Sequence, residues 1–283
     1  MKKLFDDITK ILLITDMDGT FLPSSKIPSQ ENVEAINRFM KAGGKFSIAT
    51  GRSLQASQQY FDTFSVNCPI IMCNGGMVYD LADKRQIYDV YLPVSARELT
   101  ARILKDNPQA GCEVLPIENV FVPNMTDMES QHCNICKVDP VLCGISEIPD
   151  NWYKVLFADT PERLPILIDY VDKIKDDYSD IDFVISAPTY YEMLPKNISK
   201  GSALNELCKA CGFDDFTVVA VGDYNNDIEM LRNADVGICP SNAVEEVKAV
   251  ADILLDVSCE ENAIAAVVDY IFKNINNNYI IGG

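Results

Sequence analysis

Two aspartates two residues apart, Asp16 and Asp18, directly follow the apolar, β-branched run Ile11 to Thr15. Gly19 comes next and lets the chain turn. Carboxylates at that spacing can both approach one hard divalent cation, which prefers oxygen ligands. A carboxylate can also attack phosphorus and form an acyl phosphate. Thr50-Gly51-Arg52 ends a second apolar run; a hydroxyl followed by glycine can hold a phosphate oxygen through side chain and backbone N–H. Lys200 lies at the start of a helical pattern, where the helix dipole disfavours a cation unless an anion faces it. Gly222-Asp223-Tyr224-Asn225-Asn226-Asp227 follows the run Thr217 to Val221 and offers two acids and two amides. Taken singly, each has a plainer reading: a turn acid, an N-cap, a solvated lysine, an Asn/Asp turn. Together they supply a nucleophile, a hydroxyl, a cation and a metal-binding loop, the set that phosphoryl transfer requires.

The surrounding pattern says what must position them. Ile11 to Thr15, Phe46 to Ala49, Pro69 to Cys73, Phe216 to Val221, Val236 to Cys239 and Ile253-Leu254 read as short buried strands. Helical spacing over 31–42, 54–64, 203–210, 227–234, 243–250 and 262–272 alternates with them. Such alternation implies an α/β fold, a Rossmann-like parallel sheet core with helices on both faces. In such a sheet ligands bind at the carboxyl ends of the strands, where all four motifs fall. The middle is richer in strand. Strands over 86–92 and 153–158, strand signals over 113–122, helices over 95–105 and 161–175, and a hairpin over 182–194 make an inserted α+β cap. The expected division is 1–82 and 196–283 for the core and 83–195 for the cap. The polar tail from Asn274 to Gly283 reads as loose.

The four motifs in this order resemble those of the haloacid dehalogenase-like superfamily. The large insert between the second and third motifs, with Asn74-Gly75-Gly76 after the third strand, resembles its Cof-type branch with a C2 cap. The resemblance implies a phosphatase that hydrolyses small-molecule phosphate monoesters, sugar phosphates among them, through an aspartyl-phosphate. Asp16 would be the nucleophile and Asp18 the acid/base. Thr50, Gly51, Arg52, Asn74, Lys200 and Asn226 would surround the phosphate. Mg2+ would sit on Asp16, Asp18 through its carbonyl, and Asp223, with Asp227 behind. A phosphomutase or phosphotransferase of the same fold stays open, as does a non-catalytic phosphate-sensing module.

The chain has 283 residues and a formal net charge of −18. That charge repels nucleic acid and anionic membrane, so the expected partner is a small phosphate ester that a local cation helps to hold. With no long apolar run or signal sequence, the expectation is a cytoplasmic monomer or homodimer. The ten cysteines then read as thiols. His132, Cys133, Cys136 and Cys143 could hold zinc, but a second Cys-x-x-Cys pair is missing, which favours an inert loop. Tyr190, Tyr191 and Glu192 are candidate substrate contacts from the cap, with sheet-face positions as the plainer reading.

Overall fold

The computed structural model describes residues 5–117 and 119–275. The chain first lays down β1 (Ile11–Asp16), α1 (Gln30–Lys41), β2 (Lys45–Ala49), α2 (Leu54–Gln58), β3 (Ile70–Met72), β4 (Met77–Asp80) and β5 (Arg85–Asp89). An insert follows: α3 (Ser95–Asp106), β6 (Gly111–Leu115), β7 (Phe121–Asn124), α4 (Asp127–Cys136), β8 (Val141–Leu142), β9 (Lys154–Ala158), α5 (Leu164–Asp172), β10 (Ile181–Ala187) and β11 (Tyr190–Pro195). The return comprises α6 (Lys200–Cys211), β12 (Thr217–Val221), α7 (Ile228–Asn233), β13 (Val236–Cys239), α8 (Glu245–Lys248), β14 (Ile253–Leu254) and α9 (Ala263–Asn274).

Two sheets result. The larger has the order β14-β13-β12-β1-β2-β3-β4-β5 and the smaller β10-β11-β9-β6-β7-β8. Strands β14 to β3 run parallel. Every residue of β1 is buried, because helices cover both faces of a parallel sheet. Its neighbours are β2 on one side and β12 on the other, so the strand order reverses at β1 and opens a crevice at its carboxyl end. The smaller sheet is antiparallel except for the β7–β8 pair. One of its faces buries Cys112, Val114, Val155, Phe157 and Met193 in a core with α3 and α5.

Three expectations are corrected. The strand expected over 86–92 within the cap is β5, which pairs antiparallel with β4 and completes the larger sheet. The expected boundary at 82/83 therefore precedes the last core strand. The helix expected over 54–64 stops at Gln58. Beyond it, Tyr60 N–H donates to the Ser57 carbonyl and Thr63 N–H to that of Tyr60, tighter turns that bring Tyr60 and Phe64 into the core. The Phe64 ring meets Phe21 edge-on with centroids 4.7 Å apart. The segment 127–136, expected as a loop of thiols, is α4; Thr126 caps it by accepting from Glu129 N–H. The capping signature Thr-x-x-Glu stands in the sequence at 126–129. Of the expected loose tail, 276–283 lies outside the described residues.

One close approach seats the start of α6 against the loop after β3. Gly75, at φ +103°, lies where a Cβ would come within 2.0 Å of the Ser199 carbonyl oxygen, so only glycine fits.

Candidate active site

At the end of β1 the chain turns through Gly19, at φ +84°, where a Cβ would come within 2.5 Å of Asp223 Oδ2. Glycine thus lets the loop after β12 close on the loop after β1. Lys200, fully buried at the first turn of α6, donates to Asp16 Oδ1 at 2.5 Å and to Asp227 Oδ1 at 2.6 Å. The other Asp227 oxygen accepts from the backbone N–H of Asp223 (2.9 Å) and Tyr224 (3.2 Å). Asp223 Oδ1 accepts from the Thr20 hydroxyl at 2.6 Å. Burial pushes the Asp16 carboxyl well up, against the pull of the Lys200 ammonium, and the neighbouring acids add to the rise. Burial, then the Asp227 charge, push Asp223 up to about 7. Lys200 is moved upwards, because its two carboxylates outweigh its own burial.

The carboxylate oxygens of Asp16, Asp223 and Asp227 lie within 4.8 Å of one another. Three carboxylates against one ammonium leave two negative charges in a buried space, the charge of one divalent cation. The donors are all oxygen, as Mg2+ requires. Asp227 has both oxygens engaged by Lys200 and the backbone, so Asp16 and Asp223 are the better placed to bind and Asp227 to orient.

Asp18 faces the same cavity and is one-third exposed. Arg52 grips it twice, Nε to Oδ2 at 2.7 Å and Nη2 to Oδ1 at 2.8 Å, and Lys26 adds Nζ to Oδ1 at 2.7 Å. Burial would raise its pKa, but the bonds and charge of Arg52, with those of Lys26, hold it well below the usual carboxylate range. Arg52 in turn lies over the Tyr60 ring, 5.2 Å from its centroid.

The cap closes the other side. The cavity, about 390 Å³, is lined from the core by Asp16, Asp18, Lys26, Gly51, Arg52, Asp223 and Asn226. From the cap it is lined by Glu113, His132, Lys154, Ser186, Tyr190 and Glu192, among others. Strand alternation decides which cap residues reach it. Tyr190 and Glu192 of β11 face the cavity, whereas Tyr191 points the other way and stacks on Phe183 at 5.1 Å in the cap's own core. Of the three expected cap contacts, Tyr191 is thus a core residue. Glu192 is buried and fully engaged: it accepts from Lys154 Nζ (2.6 Å), Asn74 Nδ2 (2.6 Å) and the Ser186 hydroxyl. Asn74 Oδ1 accepts from Asn226 Nδ2 at 3.0 Å, so a continuous hydrogen-bonded chain joins the metal-side loop to the cap.

Asp16, Asp18, Gly51, Arg52, Asp223 and Asn226 therefore meet on one cavity, while Thr50, Asn74, Lys200 and Asp227 stand buried behind them. Thr50 closes β2, its hydroxyl accepting from Arg52 N–H at 3.1 Å. Sequence reasoning missed Lys26, Glu113 and Lys154. The lysine at 26 carries no local signal; Glu113 and Lys154 are charges inside strand patterns, where burial demands a partner. Among the described residues, His132, Cys133, Cys136 and Cys143 do not gather into one metal-ligating group, so the zinc alternative weighed for them is not built. Cys136 lies beside His132, its Sγ 3.7 Å from Nε2, Cys133 contacts Glu129, and Cys143 packs against the cap core.

This arrangement, three acids and a lysine where the strand order reverses under an inserted cap, defines a class. A family profile described as haloacid dehalogenase-like hydrolase matches residues 13–268, and the chain belongs to that family. It is 26 % identical over 274 residues to the 5-amino-6-(5-phospho-D-ribitylamino)uracil phosphatase YcsE of Bacillus subtilis, covering 94 % of this chain and 98 % of that one. It is 26 % identical over 247 residues to the phosphoglycolate phosphatase of Methanopyrus kandleri, covering 87 % and 90 %. Its fold matches that of the HAD subclass IIB sugar phosphatase BT4131 with a TM-score of 0.79 at 20 % identity, over 93 % and 99 %. By this kinship the chain is an enzyme, a phosphatase of the haloacid dehalogenase-like kind. Among the described residues no helix is long and apolar enough to cross a membrane.

Proposed function

We propose that the protein is a Mg2+-dependent phosphatase that releases phosphate from small, hydroxylated phosphate monoesters through an aspartyl-phosphate on Asp16. The observation that carries this reading is the Asp16 carboxylate, held at the cavity floor by Lys200 with Asp18 two residues away on the same wall.

Asp16 attacks phosphorus with the oxygen that Lys200 leaves free. Lys200 keeps the approaching anions from repelling each other. The Thr50 hydroxyl, which accepts from Arg52 N–H, retains its proton for a phosphoryl oxygen. Asp18 gives a proton to the departing oxygen and then takes one from the water that hydrolyses the acyl phosphate. For the first of these steps Asp18 must leave Arg52 and Lys26, and an incoming phosphate dianion competes for both cations. Asp16, the backbone carbonyl of Asp18 and Asp223 would hold the Mg2+, which neutralises charge on the transferring group.

The two relatives named above act on unlike leaving groups, so kinship does not choose the substrate. The cap wall supports the reading: Glu113, His132, Lys154 and Ser186 offer both donors and acceptors, which suits a polyhydroxylated leaving group such as a sugar. A phosphate-release screen over sugar phosphates, nucleotides, phosphoglycolate-like acids and cofactor phosphates, with and without Mg2+, tests the reading. Turnover of the sugar phosphates that needs Mg2+ and vanishes in Asp16→Asn is the expected result. Undiminished turnover in Asp16→Asn removes Asp16 as nucleophile, and preference for a flat or apolar leaving group removes the substrate class.

A further inference from the structure

A second cluster of metal-ligating side chains lies in the cap, apart from Asp16, Asp223 and Asp227. Glu113 stands on β6; Glu129 and Cys133 stand one turn apart on α4, which packs on that strand. All three are buried, and one ligand atom from each lies within 4.8 Å of the others. Cys133 Sγ is 3.4 Å from Glu129 Oε1, which fixes the Glu129 carboxyl within the cluster. Glu129 is fully buried, yet its second oxygen, Oε2, has no hydrogen-bond partner. A buried orphan carboxylate oxygen is costly and calls for an ion or a water. Gly111 shows how tightly the two elements meet: a Cβ there would come within 2.7 Å of Glu129 Cβ.

We propose that Glu113, Glu129 and Cys133 form a second divalent-metal site, for an ion of the zinc class. A thiolate with two carboxylates does not suit Mg2+, which takes hard oxygen donors, but suits borderline zinc, which accepts sulfur and oxygen in tetrahedral array. Three protein ligands leave a fourth position for water. Binding forms a metal–sulfur bond and releases the Cys133 thiol proton to solvent; no oxidant or reductant is consumed. The ion ties α4 to β6 and so fixes the wall that α4 presents to the cavity through His132, Ile135 and Cys136. None of its ligands takes part in the chemical steps, but Glu113 also lines the cavity wall argued above to meet the leaving group, so retained metal rather than turnover is the readout that tests the site by itself.

The test uses the full chain. Protein stripped with a chelator is given Zn2+ in the presence of excess Mg2+, desalted, and its metal counted by mass spectrometry. Wild type and Asp16→Asn should each retain one zinc per chain, and Cys133→Ala none. Loading with Co2+ should give a sulfur-to-cobalt charge-transfer absorption in wild type and Asp16→Asn, lost in Cys133→Ala. Should Cys133→Ala fail to fold, the near-isosteric Glu129→Gln serves, with loss of retained zinc expected. The proposal is overturned if wild type retains no zinc, which leaves a proton or water shared between the glutamates. It is also overturned if the cap variants keep the ion, or if Asp16→Asn alone loses it.

Discussion

The two walls of the cavity are made by different means. The core wall is built from loops at strand ends, where backbone turns through glycine bring Asp16, Asp18 and Asp223 together and one buried lysine joins Asp16 to Asp227. The cap wall is built from side chains standing on the face of a sheet, Glu113 on β6, Lys154 on β9 and Glu192 on β11, chosen by alternation. The first wall fixes a reaction, since its groups converge on one point. The second spreads donors and acceptors over an area and fixes a shape. Substitutions on the core wall should therefore abolish turnover, and those on the cap wall should redistribute it among substrates.

The strongest challenge to that division is Asp16→Asn. It should lower kcat by roughly 10⁴-fold or more, as loss of a nucleophile does, without lowering the melting temperature, because one of three crowded carboxylates is removed; calorimetry and phosphate release check both. Metal removal comes next. Chelation should stop phosphate release, with Mg2+ restoring it, and Mg2+ added to the stripped protein should raise the melting temperature, because Asp16, Asp223 and Asp227 otherwise repel. Retained activity in chelator would break the core-wall account. Lys200→Met should follow, costing about 3–5 kcal/mol by leaving Asp16 and Asp227 without their shared cation, and most of the turnover besides. On the cap wall, Glu192→Gln strands the Lys154 ammonium, which is 3 % exposed. Denaturant titration should show a loss of about 2–4 kcal/mol, and the kcat/KM values of a substrate panel should change in order rather than fall together. The smallest effect separates two neighbours: Tyr190→Phe should alter KM with stability unchanged, whereas Tyr191→Phe should leave kinetics alone. Equal kinetic effects from both would refute the alternation that places Tyr191 in the cap core.

What the sequence discloses follows the same division. Asp16, Thr50, Lys200 and Asp223 are legible because each stands at the end of a recognisable run, and the carboxyl edge of a parallel sheet brings such ends together. The eight-stranded sheet was legible for its parallel part. The β4–β5 hairpin was not, because a strand such as Arg85–Asp89 with polar alternation reads the same at a sheet edge as in a cap. Lys26 reaches Asp18 from a loop, and nothing local marks it. Glu192 is legible as a cap residue, but its bonds to Asn74 and Lys154 depend on how the cap docks, which no periodicity encodes. The cysteines at 133 and 136 have metal-ligand spacing along the chain; Glu113, some twenty residues upstream, becomes a neighbour of Cys133 only through the sheet.

The lysine that steadies Asp16 lies 184 residues further along the chain, and β1 has β12 for a neighbour. During synthesis the first strand must therefore wait while the whole insert emerges. The cap has a core of its own and can order itself in the interval. Until α6 and β12 arrive, the apolar β1 has β2 alone beside it and one edge open, a state prone to wrong pairing. Lys200 and Asp16 then meet only in a chain that has brought both halves of its sheet together, so the capacity to react appears last.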